Sequence, residues 1–288
     1  MEYHKDRYED ASLVMFKDDA LFAVLPGNKD LNIFHSHQGL TYGGLIFRPY
    51  SKLEDIITAF KDLLKYLKGE GFEKLWLKEL PNIYKKHQDD TFNYLSFKLK
   101  GVIFRKDILS VVEPQNLKLS NSRREGLKRA TKNNLILKEV DDLSDFWNTI
   151  LIPNLREKHR KSPVHSLDEI TKLKQSFSKN IRQFNVYHSN RLVAGATIFE
   201  TKNVAHAQYI SGNEEKNELG SIDFLHIKLI TDIFQDKPYF DFGMSHTASG
   251  QINKGLHFWK EGFGSFSVAQ NFVEIETKNY PLLDSLFS

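Results

Sequence analysis

The chain has 288 residues, close to the length at which a single hydrophobic core stops growing, which points to two lobes. Its 40% hydrophobic and 27% charged residues supply enough apolar surface to fold and exclude intrinsic disorder, while 40 basic against 37 acidic side chains leave a net charge of +3 that demands no nucleic acid or anionic membrane as partner. The lack of any cysteine excludes disulfide scaffolds, thiolate metal sites, cysteine nucleophiles and iron-sulfur clusters.

The opening residues Met1 to Asp10 are polar and charged, and no apolar run is long enough to span a bilayer, so the expectation is a cytoplasmic protein without membrane insertion. Short strands are predicted at Ser12–Phe16, Leu21–Leu25, Ile33–His37 and Leu45–Phe47, separated by turn residues at Asp18-Asp19, Gly27-Asn28 and Gly43-Gly44. A capping box at Ser51 and Glu54 precedes Ile56, Ile57, Phe60, Leu63, Leu64 and Leu67 at helical spacing. A strand from Glu73 to Leu80, a helical stretch from Asn82 to Phe97 and strands at Val102–Phe104 and Ile108–Val112 complete the first half. Pro114 marks the boundary, giving lobes of 1–117 and 118–288.

The second half opens on a capping box at Ser122 and Glu125, with helices near Arg123–Lys132, Leu143–Lys158 and Leu167–Asn180, the last led by Ser166 and Glu169. Strands Gln183–His188, Leu192–Glu200 and Val204–Ser211 follow as an antiparallel meander with a turn at Asn190. Then come a helix Ser221–Phe234, a strand Tyr239–Gly243, a helix around Lys254–Glu261 and a strand Val268–Ile275.

Three antiparallel strands, a helix, a strand, a helix and a final strand is the order that GNAT acetyltransferases show around their acyl-donor site. Tyr239 to Gly243 followed by Gly255 to Gly264 resembles the strand-end and helix signature of the FemAB family, Ser120 to Asn134 is similar to the helix opening its second lobe, and His35 to Leu45 resembles a first-lobe segment. The resemblance implies an α/β (α+β) fold of two GNAT-like lobes, each a mixed, mostly antiparallel sheet flanked by helices. It implies an N-acyltransferase with its donor site in the second lobe. Two departures stand out: the glycine-rich loop that holds the pyrophosphate of coenzyme A is replaced by Ser211-Gly212-Asn213 and Leu219-Gly220-Ser221, and no coiled-coil arm is present.

Amide formation from an activated acyl donor needs a neutral amine, a polarised carbonyl and a proton route, and no metal. The donor is expected where Val204–Ser211 and Tyr239–Gly243 splay apart. By the resemblance Lys260 contacts a phosphate or the acyl-donor end, with Tyr209, Ser211, Gly212 and Gly220 as the rest of the donor site. His257, Asp241 and His246 are the candidate acids and bases, each with a structural role as the competing reading. Period-two geometry puts His206 and Gln208 on one strand face and Ala205, Ala207 and Tyr209 on the other.

Tyr42, Gly43, His206, Arg123 and Arg124 are the candidate substrate-binding residues, Gly43 because its backbone can approach a ligand closely. Seven basic side chains against Glu125 between Lys118 and Lys138, and a second run at Arg156, Lys158, Arg160 and Lys161, suit either a phosphate-bearing ligand or a solvated face. His35 and His37 share a strand face without a third metal ligand nearby, so no metal is expected. The leading expectation is transfer from acyl-coenzyme A to an amine, for example an amino sugar or cell-envelope glycan precursor. Alternatives are aminoacyl-tRNA-dependent transfer to a peptidoglycan precursor and a non-catalytic binding protein.

Overall fold

A computed structural model describes residues 4–36, 38–247 and 249–287, with the backbone alone at 158 and 159. In chain order the strands are β1 (Glu9–Asp10), β2 (Leu13–Lys17), β3 (Ala20–Leu25), β4 (Asn28–Asp30), β5 (Ile33–His35), β6 (Ile46–Phe47), β7 (Lys74–Lys78), β8 (Val102–Val112), β9 (Ile136–Val140), β10 (Ile181–His188), β11 (Arg191–Glu200), β12 (Val204–Gly212), β13 (Tyr239–Met244) and β14 (Phe266–Glu276). The helices are α1 (Leu53–Gly69), α2 (Thr91–Lys98), α3 (Asn121–Lys132), α4 (Ser144–Phe146), α5 (Ile152–His159), α6 (Leu167–Ser176), α7 (Lys216–Leu219), α8 (Ser221–Lys228) and α9 (Lys254–Glu261).

The chain forms two compact units, one of residues up to Asp107 together with those from Ala269 onward, the other Ile108–Val268. The division therefore lies ahead of Pro114, which sits in a turn after β8 inside unit 2, and β14 carries the chain back into unit 1. Nothing in the pattern of β14 distinguishes a strand of one unit from a strand of the other, so sequence reading assigns it to the unit it follows.

In unit 1 the order β1-β4-β5-β7-β14 is antiparallel except at β5–β7, and β2-β3-β6 is a separate antiparallel sheet. The face of α1 predicted from helical spacing is the one buried, with Phe60, Leu64 and Leu67 fully enclosed among Phe34, Leu75 and Ile275. Its capping box is not formed: the helix begins after Lys52, and Ser51 Oγ donates to Arg48 O at 2.7 Å. The expected helix Asn82–Phe97 is a 3₁₀ turn at Asn82–Tyr84 and then α2, because the intervening His87 to Asp90 run is polar and Asp89 accepts from Thr91 N at 2.8 Å, fixing a new start.

In unit 2 the order is β8-β13-β12-β11-β10-β9, antiparallel throughout except for β12–β13. The two strands expected at Val102–Phe104 and Ile108–Val112 are the single β8, and β9 is a further strand, its charged Lys138 and Glu139 masking a pattern that pairs with β10. Ser189 and Asn190 both adopt left-handed backbone, φ 48° and 62°, as a two-residue hairpin requires. Ser120, rather than Ser122, caps α3 by accepting from Arg123 N, whereas the Ser166–Glu169 box is complete. Between α4 and α5 the helix widens into a π turn at Trp147–Leu151, just ahead of Pro153, which has no N–H to return. The core of unit 2 gathers Phe184, Val193, Ile198, Leu225, Phe240 and Phe263 against α8 and α9. Among the described residues no helix is long and apolar enough to cross a membrane.

Candidate active site

The parallel ladder between β12 and β13 consists of Val204↔Tyr239, Ala205↔Phe240 and His206↔Asp241, and no pair follows. Beyond His206 the two strands splay, and the β12–β13 ladder does not extend to Ala207. On its other side β12 keeps its ladder to β11, but Tyr209 faces Thr197 and Ala207 faces Ile198, so Gln208 is the extra residue of a β-bulge. The bulge breaks the period of two. Ala205, Ala207 and Ile210 lie on the hydrophobic-core side, while His206 and Tyr209 share the opposite face, correcting the expectation that Tyr209 sits with the alanines.

At the apex of the splay three candidate residues come together. Asp241 is fully buried; its Oδ1 accepts from Gly243 N at 2.6 Å and its Oδ2 lies 3.0 Å from His206 Nδ1. A carboxylate there fixes the proton on Nδ1 and leaves Nε2 of His206 as the basic nitrogen. Gly243 has φ 69° and a Cβ there would meet His206 Cε1 at 3.3 Å, so the glycine turns β13 and lets the imidazole lie over it. Lys260, from α9, is 2% exposed and donates to Gly243 O and Met244 O, each at 2.8 Å. Burial lowers its pKa to about 8, against the pull of the nearby Asp241 charge. The lysine thus anchors the end of β13.

No family model and no curated protein matches the chain. Among solved structures, FemX superposes over 98% of this chain and 92% of its own at 11% identity with a TM-score of 0.68. L-PGS from Bacillus licheniformis matches over 95% and 86% at 12% identity and 0.62, and a tandem GNAT protein from the clavulanic acid biosynthesis pathway over 92% and 82% at 9% identity and 0.51. The fold is of the FemX type.

Within this FemX-type fold the remaining candidates are dispersed. His257 is half-buried on α9, with Nε2 3.4 Å from Glu261 Oε1. His246 lies in the loop after β13, bridged to Ile252. Tyr209 Oη meets His165 Nδ1 at 2.7 Å, and Asn154 donates to Ser211 Oγ and Gly212 O, both at 2.8 Å, so these three donor-site candidates line the α4–α6 side of β12. Gly220, with φ 67°, and the fully buried Ser221 open α8 beneath α3: a Cβ on Gly220 would meet Gly126 O at 2.1 Å. Arg123 is half-buried in an ion pair with the buried Asp223, which also accepts from Trp259 Nε1 at 2.9 Å, and burial raises the Asp223 pKa. Arg124 is exposed.

Tyr42 and Gly43 belong to unit 1, where the Tyr42 ring stands 5.2 Å from that of Tyr84 and a Cβ on Gly43 would come within 2.7 Å of Ser36 O. His35 is buried, its Nε2 3.7 Å from Asp30, and burial lowers its pKa; His37 and the Lys158 side chain lie outside the described residues. Among the described residues no group of three or more acidic or histidine side chains is placed to hold a metal.

Several residues of this region escaped sequence reading. His226 is fully buried between Phe242 and Trp259, with Nδ1 2.8 Å from Ile222 O, and burial together with the Lys260 and Arg123 charges lowers its pKa to about 4. A buried chain joins Trp147 Nε1 to Thr197, Thr197 to Gln183 at 2.7 Å and Gln183 to Asn185 at 2.7 Å beneath Tyr209. Polar residues at alternate strand positions look like a solvated face, and only the covering α4 and π turn reveal them as buried. Gly126, a glycine inside a helix, was the one available signal: a Cβ there would fall 1.9 Å from Asp223 Oδ2.

Proposed function

We propose that the chain is an acyltransferase, that His206 and Asp241 form its proton-transfer pair, and that its donor is an aminoacyl ester of tRNA. The observation that carries the first part is the β12–β13 splay with a half-buried imidazole on a buried carboxylate at its apex. In this reading the acyl carbonyl lies where β12 and β13 part beyond His206, and backbone N–H groups at that splay stabilise the developing oxyanion. The amine nitrogen attacks the carbonyl carbon, His206 Nε2 takes the proton, and the C–O bond to the leaving ribose hydroxyl breaks as that oxygen is reprotonated. Asp241 holds the imidazole and offsets its charge.

The choice of donor is supported by the enclosed start of α8, which leaves the replaced pyrophosphate loop under α3, and by the exposed Arg124 and Lys132 two turns apart on α3, suited to an RNA backbone. Likeness to the tandem GNAT protein favours acyl-coenzyme A as the second reading. The purified chain is offered radiolabelled aminoacyl-tRNA or acetyl-coenzyme A with an amino-sugar nucleotide as acceptor. Transfer from charged tRNA, lowered by about a hundredfold or more in His206→Ala and Asp241→Asn, is the expected outcome. Transfer from the thioester alone would move the assignment to the second reading, and transfer from neither would remove it.

A further inference from the structure

In unit 1, β2 is an edge strand: the small sheet runs β2-β3-β6, and the outer side of β2 pairs with no other strand among the described residues. Native sheets shield such edges with charge, bulges or covering segments. Here the bulge between Met15 and Phe16 places its extra residue, Phe22, on β3, so the outer edge of β2 stays regular. Val14 and Phe16 are 61% and 64% exposed, so two large apolar side chains on the outward face of this strand lack a cover.

Beside that edge runs a trough of about 620 Å³ between β2 and α1, with Met15, Phe22, Ala59, Leu63 and Tyr66 in its lining. Its charged rim is one-sided. Lys17 pairs with Asp55 at 2.5 Å, which leaves the exposed carboxylates of Glu54 and Asp62 without an ion-pair partner among the described residues. We infer that this trough is a docking groove for an extended segment of a partner protein that adds a strand to β2, alternating apolar with basic side chains. Main-chain hydrogen bonds along β2 would supply affinity, apolar side chains would enter the trough, and basic ones would meet Glu54 and Asp62. A second copy of this chain fits less well, because pairing β2 with itself brings the two acidic rims together.

The test uses the full chain and a fluorescein-labelled octapeptide of alternating valine and lysine, with binding read by anisotropy. Expected is saturable binding that weakens at least about tenfold when alternate peptide amides are N-methylated, when glutamate replaces lysine, and in the Glu54→Lys, Asp62→Lys double variant. Both substituted residues are exposed, and circular dichroism verifies that the variant keeps its fold. Absence of binding, or binding indifferent to N-methylation and to charge, would overturn the inference. So would a dimer in sedimentation velocity that Phe16→Glu dissolves, since the occupant would then be a second copy.

Discussion

A half-buried lysine in unit 1 and a fully buried one in unit 2 are each set against two backbone carbonyls. Lys78 in unit 1 donates to Leu40 O at 3.3 Å and Thr41 O at 2.8 Å, as Lys260 in unit 2 donates to Gly243 O and Met244 O, and burial lowers the pKa of each to about 8. The surroundings differ. Near Lys78 the carboxylate, Asp107, is clasped by Nε and Nη2 of Arg105, whereas near Lys260 the carboxylate, Asp241, is held by a histidine and a glycine N–H. A guanidinium leaves a carboxylate no chemistry to do, while an imidazole shares its proton chemistry. The same anchoring device therefore supports a fixed loop in one unit and a candidate catalytic pair in the other.

The largest expected contrast is in turnover. Lys260→Met should lower transfer by about a hundredfold through loss of the β13 end beneath His206 and Asp241, and Lys78→Met should change kcat by less than about tenfold; equal losses would dissolve the distinction. Next is a stability difference confined to unit 2: Gly126→Ala forces a methyl into the Asp223 carboxylate and should cost about 1–3 kcal/mol in denaturant unfolding. The lysines themselves predict a pH effect. Their folded pKa of about 8 lies below the unfolded value, so between about pH 8 and 10.5 the unfolded chain binds more protons and stability rises with pH. Each lysine-to-methionine variant should flatten that rise in thermal unfolding against pH, by about 3 kcal/mol across the window. The smallest contrast lies in the caps: Ser166→Ala should cost about 1 kcal/mol and Ser51→Ala only a few tenths, because only the former accepts a helix N–H.

How much could be read in advance follows from the range of the forces involved. The α1 stripe, the β10–β12 meander and the Ser166 box are set by residues within a few positions of one another, and all three stand as expected. The placement of β14 and the burial of Gln183 and Thr197 depend on segments far along the chain and left no local mark. At the site, the β12–β13 splay lies where the strand order predicts it, but the pairing of Asp241 with His206 has no local signature. A strand histidine such as His206 carries no signal of what stands on the neighbouring strand, and the face of Tyr209 is hidden from a period-two count by the bulge at Gln208.

The return of the chain at Ala269 has a consequence for synthesis. Unit 1 receives β14 against β7, and Thr277 Oγ1 donates to Phe72 O at 2.7 Å, only after every residue of unit 2 has been translated. On a ribosome the second unit is complete first, while the first waits with the β7 edge open and Leu75 and Leu77 short of their covering strand. The N-terminal unit is thus the last to finish folding, and the exposed β7 edge is where a chaperone or a stalled chain would first be felt.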